Sequence, residues 1–158
     1  MNFPLELRKN SMQEIQIQPD TLRIWTLITI LVFLKMFANS LIQGLFRFKQ
    51  KSFVWPEDNQ IFKYPHQPKA LDNMQRINRV WANDLENFPI FLFLGLGYTL
   101  LSGQPDRMAI YGILFVSSRI FHTVFFLIRK QPHRNLSYQI GLLTCFALSA
   151  ESVLLLLR

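Results

Sequence analysis

Four stretches of this chain, Leu22 to Phe46, Val80 to Leu101, Met108 to Ile128 and Leu136 to Leu157, are each long and apolar enough to cross a bilayer. About 20 helical residues span ~30 Å of hydrocarbon. With no water there to satisfy backbone N–H and C=O groups, an open spanning segment has to be a helix. A soluble all-α domain would need polar faces on its helices, and the runs Phe88 to Leu101 and Ser137 to Leu157 offer none. The expected fold is therefore all-α, an integral membrane four-helix bundle over residues 22–158 behind an N-terminal tail of residues 1–21. That tail carries Arg8, Lys9, Glu14 and Asp20 and lacks the apolar core of a signal peptide, so the first span is expected to stay in the mature protein.

The formal charge of +7 is distributed as a membrane protein distributes it. Arg47, Lys49, Lys51, Lys63 and Lys69 lie between the first and second spans, and Arg129, Lys130 and Arg134 between the third and fourth. The positive-inside rule makes both of these loops cytoplasmic and turns both termini to the other side. No basic stripe interleaved with stacking aromatics lies outside the spans, which argues against nucleic acid as a partner. His66, His122 and His133 are too scattered for metal-ligand spacing, so no metal is expected. The single cysteine, Cys145, sits within the fourth span and reads as a small packing residue.

Six ionisable side chains fall inside the apolar stretches: Lys35, Asp84, Glu86, Arg119, His122 and Glu151. Each costs about 2.5–3.5 kcal/mol near the centre of a membrane helix, so such residues face the bundle interior or mark a site. At about 100° per residue, Arg76, Arg79, Asn83 and Glu86 share an arc of roughly 80° on the second helix, and Arg119, His122, Phe126 and Arg129 form a matching stripe on the third. The two stripes can neutralise each other across a hydrophilic slot, with Glu86 facing Arg119 and His122. Asp84 points away from that arc, and Lys35 in the first span is its natural partner.

Local signals set the expected boundaries. Asp20 and Thr21 can cap the first helix and Asp106 the third, after a tight Ser102-Gly103-Gln104-Pro105 turn. The segment from Ser52 to Leu71, with Pro56, Pro65 and Pro68, reads as an irregular loop. Asp72 with Gln75 forms a capping box that starts a helix from about Asn73 to Leu101, kinked at Pro89.

Several segments in order carry a family resemblance: Lys35-Met36 with Gly44 and Arg47, Phe53-Val54-Trp55-Pro56-Glu57-Asp58, Arg76, and Arg79-Val80-Trp81-Ala82-Asn83-Asp84-Leu85-Glu86-Asn87. Phe91-Leu92-Phe93-Leu94-Gly95, Arg119-Ile120-Phe121-His122-Thr123, Pro132-His133-Arg134 and Tyr138 continue it. Over about Lys35 to Tyr138 the chain resembles the MAPEG proteins, membrane-associated proteins in eicosanoid and glutathione metabolism, and within them the branch of microsomal glutathione transferase and microsomal prostaglandin E synthase.

The resemblance implies a homotrimer with glutathione held between subunits near the cytoplasmic face. It implies Arg47 from a neighbouring subunit, with Asn83, Glu86, His122, Arg134 and Tyr138 completing the ligand shell. Arg134 matches the arginine that stabilises the thiolate, and Asp58 matches a residue proposed to assist proton transfer in the prostaglandin-isomerising member. Three departures stand out: Phe126 where glutathione-using relatives often have tyrosine, Ala82 and Trp81 in place of polar residues, and a slightly shorter loop before Pro132.

The residue types suit glutathione on their own chemistry. Two carboxylates and an ammonium call for arginines such as Arg79, Arg119 and Arg47 with an acid such as Glu86. The expected function is a membrane-bound glutathione transferase or peroxidase acting on lipophilic electrophiles or lipid hydroperoxides from the surrounding membrane lipid. The alternatives are a lipid-binding scaffold of the same fold and a glutathione-dependent isomerase of the prostaglandin-synthase type.

Overall fold

The computed structural model describes residues 17–51, 53, 55–63 and 72–158. Residues 1–16 of the expected tail, together with Val54, Pro65, His66, Pro68 and Lys69, lie outside the described residues. Five helices follow in order: α1 Pro19–Gln50, α2 Pro56–Phe62, α3 Asp72–Leu100, α4 Pro105–Leu127 and α5 Gln131–Leu156. Among the described residues there is no strand. The four long helices form the expected bundle, with every pair except α1 and α5 in contact.

Proline opens most of these helices. It stands at the first or second position of α1, α2, α4 and α5, where its fixed φ suits the helix and its missing N–H costs nothing. This corrects three expectations. The segment after Lys51 is not wholly irregular, because Pro56 starts α2. Neither Asp20 nor Asp106 caps a helix; both lie in first turns, with no side-chain capping bond at Gln18 or Gln104. Thr21 is used elsewhere: its hydroxyl donates to the Gly103 carbonyl at 2.6 Å, tying the start of α1 to the α3–α4 turn. Helix α3 is described from Asp72, the residue before it lying outside the described residues, and it continues without a break through Pro89.

The outward faces are apolar, as expected of helices that sit in lipid. Leu27, Phe33, Leu45, Phe93, Ile113, Leu143 and Phe146 are all at least 60% exposed. Helices α1, α4 and α5 are each long and apolar enough to cross a membrane. Helix α3 is long enough but not apolar enough, because its first half carries the polar stripe. The inner core is aromatic: Phe91 and Phe115, both fully buried, stack at 3.9 Å with rings 5° apart.

Glycine serves packing here rather than chain reversal. The left-handed residues that end helices or turns are Lys51, Lys63, Ser102 and Arg129, and no described glycine has positive φ. Gly112 instead lets α4 approach Ile28 of α1, and Gly141 lets α5 approach the Arg119 guanidinium on α4.

Lys35 and Asp84 meet as expected. The Lys35 ammonium pairs with the Asp84 carboxylate while their side chains are only 10% and 1% exposed. Lys35 also donates to the Thr123 hydroxyl at 2.8 Å, and the Asn39 amide donates to the same Asp84 oxygen. One polar knot therefore joins α1, α3 and α4. At the other end of the bundle, Glu151 accepts from the Tyr111 hydroxyl at 2.6 Å, from Arg107 at 3.0 Å and from the Tyr98 hydroxyl at 3.1 Å.

Removing one member of a buried pair strands the other charge and costs about 3–5 kcal/mol, whereas removing both can be nearly neutral. Lys35→Leu is thus expected to lower unfolding stability in detergent strongly, and Lys35→Leu with Asp84→Leu to recover much of it. A strictly additive double variant would contradict the contact. Gly112→Ala should also destabilise, by about 1–3 kcal/mol, since its new methyl would overlap Ile28; an unchanged melting temperature would show that α1 can retreat freely.

Candidate functional site

Helix α3 enters the bundle with Asp84 turned to α1, and one helical step to either side turns its neighbours elsewhere. Arg79, Asn83 and Glu86 face α4 and α5 across a cavity of about 420 Å³. Helix α4 contributes His122 and Phe126 to the wall, and α5 contributes Arg134, Asn135 and Tyr138 from its first turns. Ala82 completes the lining. The volume lies within the range of small-molecule sites.

Of the nine residues singled out from the sequence, six therefore line one cavity: Arg79, Asn83, Glu86, His122, Arg134 and Tyr138. Arg119 lies behind the wall, 1% exposed. It donates to the Asn83 side-chain oxygen at 3.3 Å and to the Tyr138 backbone carbonyl at 3.5 Å. Its guanidinium stands 5.2 Å from the Phe115 ring centre and 5.2 Å from that of Tyr138. Arg119 thus holds two wall residues in place and does not itself reach the space. Arg47 is exposed in the last turn of α1, and Asp58 is half-buried on α2; neither lines the cavity.

The expected neutralisation across the slot does not occur. Glu86 is exposed at the cavity and forms no ion pair among the described residues, and Arg119 turns to Asn83 instead. The outer ends of the stripes pair differently too. Arg129 of the α4–α5 turn donates to Asp72 at 2.9 Å, and Arg76 Nε lies 3.6 Å from the same carboxylate. With two arginines, Arg79 and Arg134, against the single carboxylate of Glu86, the cavity wall keeps an excess of positive charge.

Aromatic faces take the place of counter-ions. Arg134, half-buried, stands 4.9 Å from the centre of the Phe126 ring. The His122 ring lies 5.9 Å from Phe126 and 6.1 Å from Tyr138. The His122 imidazole is 5% exposed and packed among rings. Asn135 is the one polar wall residue that sequence reasoning missed. Its signal was available: Tyr138 follows Asn135 by three and Arg134 by four, so both are its neighbours on the helix surface.

Chemically, the wall combines two arginines, a free carboxylate, amides and a phenol, a donor set suited to a zwitterionic ligand with more than one carboxylate. Among the described residues no cluster of His, Cys, Asp or Glu could hold a metal ion.

Comparison with known proteins bears on the same residues. Microsomal glutathione S-transferase 1 of Homo sapiens is 38% identical over 112 residues, covering 68% of this chain and 72% of that protein. Prostaglandin E synthase of Homo sapiens is 30% identical over 122 residues, with 77% and 80% covered. The Rattus norvegicus prostaglandin E synthase is 30% identical over 141 residues, with 89% and 90% covered. The MAPEG family model matches residues 25–154, which takes in most of each of the four long helices and every residue of the cavity wall, and the chain belongs to the MAPEG family.

Proposed function

We propose that this protein is a membrane-bound glutathione transferase, with peroxidase activity on lipid hydroperoxides, that binds glutathione in the α3–α4–α5 cavity. The observation that carries the reading is Arg134: a half-buried guanidinium in the cavity wall with no carboxylate partner, beside Asn83, Glu86 and Tyr138. Glutathione, when bound, supplies the thiolate that attacks a lipophilic electrophile. A free thiol has a pKa of about 8.5, so lowering it by two units requires about 2.7 kcal/mol of preferential thiolate stabilisation. Arg134 lies in the first turn of α5, where the helix dipole adds to its own charge. Arg79 donates to a carboxylate at the exposed rim, and Glu86 pairs with the ammonium group.

Two further parts of the reading concern assembly and setting. Arg47 is exposed and stands apart from the cavity of its own chain, which supports a homotrimer in which a neighbour's Arg47 closes the ligand shell. The basic residues at the ends of α1 and α4 support a cytoplasmic cavity mouth, with hydrophobic substrate arriving from the lipid. The identity to prostaglandin E synthases over 89% of the chain favours a second reading, a glutathione-dependent isomerase. Asp58, like Arg47, stands apart from the cavity of its own chain, so its part in proton transfer in that reaction rests on the same contribution from a neighbouring subunit.

Arg134→Ala is expected to lower glutathione conjugation by roughly ten- to a thousandfold through turnover, with loss of the thiolate signal in ultraviolet difference spectra. Activity within about twofold of wild type would remove Arg134 from the mechanism. Phe126→Tyr adds a hydroxyl to the cavity wall at little change in volume, and one hydrogen bond of about 0.5–1.5 kcal/mol corresponds to a roughly two- to tenfold lower dissociation constant for glutathione. Calorimetry in one detergent measures it; absence of glutathione binding by either form would favour the non-enzymatic lipid-binding scaffold.

A further inference from the structure

Arginines in this bundle are held in two ways. Arg23, Arg76, Arg107 and Arg129 each have a carboxylate within 4.0 Å, so their charge is largely spent. Arg134 has none, and no side-chain hydrogen bond among the described residues fixes it. A long, unanchored arginine at a cavity wall would sample many rotamers, and ordering it on ligand binding would cost affinity or rate. Its neighbour Arg79 is in that situation, exposed and screened by water.

The difference at Arg134 is the Phe126 ring 4.9 Å away, itself packed beside His122. A π face attracts a guanidinium through its quadrupole and orients it. Unlike a carboxylate, it brings no net charge, so the field of the cation at a third atom is left intact. The same ring has a second guanidinium 5.9 Å away, that of Arg76, but Asp72 stands close to that one.

We propose that Phe126 is the positioning residue for Arg134: its ring face holds the guanidinium at the cavity wall without neutralising it, so that an anion arriving there meets an ordered and uncompensated charge. The anion is the thiolate if the glutathione reading above, on which this part rests, is right. Arg134 touches the reacting atom; Phe126 acts through Arg134.

The test uses the full-length protein in detergent, labelled with ¹⁵N-arginine, and the Arg134 Nε–H signal assigned by its loss in Arg134→Lys. Wild type is expected to show that proton displaced by the ring current of Phe126. The displacement should vanish in Phe126→Leu and in Phe126→Met, two aliphatic replacements that guard against one failing to fold, and persist in Phe126→Tyr. With glutathione saturating, the aliphatic variants should lose roughly two- to thirtyfold in kcat, the span of a partly desolvated cation–π contact. KM for glutathione should stay within about twofold, because Arg79, Asn83 and Glu86 are untouched.

An Arg134 signal unchanged in the aliphatic variants overturns the proposal whatever glutathione does. A lost displacement with unchanged kcat overturns it as well, since the ordering would then serve nothing. If wild type binds no glutathione by calorimetry while the displacement behaves as expected, the positioning of Arg134 stands and the glutathione reading falls.

Discussion

A charge in hydrocarbon has to be solvated by the protein itself, and the rest of this structure is arranged around the way Lys35 and Asp84 meet that requirement. The pair alone would leave lone pairs and protons over; Thr123 and Asn39 take up part of them, drawing α1, α3 and α4 into one polar knot. A knot of this kind tolerates little rotation of any member. With Asp84 pinned toward α1, the helical step fixes where Asn83 and Glu86 must look, and they look into the cavity. The stability element and the site are thus coupled through two adjacent residues of one helix. The apolar faces could pack in several rotations with similar energy, because lipid is as apolar as the helices themselves.

Around the cavity the balance of charge is deliberately incomplete. Arg119 is buried with amide and carbonyl oxygens and two aromatic rings for company, and Arg134 rests beside a phenylalanine. The one acid in the wall, Glu86, is exposed and unpaired among the described residues. Low-dielectric walls amplify the potential of such an arrangement toward the mouth. A negatively charged or zwitterionic ligand is the natural complement, and the same arrangement disfavours a purely apolar one.

Much of this was legible from residue order. The spans, the Lys35–Asp84 contact and the cavity residues on α3 all follow from a helical period applied to a few conspicuous ionisable groups. What failed did so for identifiable reasons. Two helical wheels set Glu86 and Arg119 on facing stripes, yet a wheel carries no depth: Gly141 opens space that draws the guanidinium behind the wall. Asp20, Thr21 and Asp106 have capping chemistry, but proline at the helix starts fixes the entry first, leaving Thr21 to bond the α3–α4 turn. Pro56 was read as a breaker because proline both stops and starts helices, and only the acidic turn that follows, Glu57 and Asp58, distinguishes the two. Arg47 and Asp58 lie away from the cavity wall of this chain, and residue order reached them only through the family resemblance.

The left-handed residues at the helix ends carry a meaning beyond local geometry. A non-glycine side chain in that conformation costs roughly 1 kcal/mol, a strain that glycine would relieve. Yet three of the four are Lys51, Lys63 and Arg129, all in the two basic loops, while the opposite turn uses Ser102. A cation at a helix C-terminus recovers part of the strain from the dipole. At Lys51 and Arg129 it also places fixed positive charge beside a long apolar helix, where charge governs which way a nascent helix inserts. The folded protein thus tolerates left-handed backbone at residues whose charge also acts on the chain before it folds, so the units that end its helices serve two stages of its life at once.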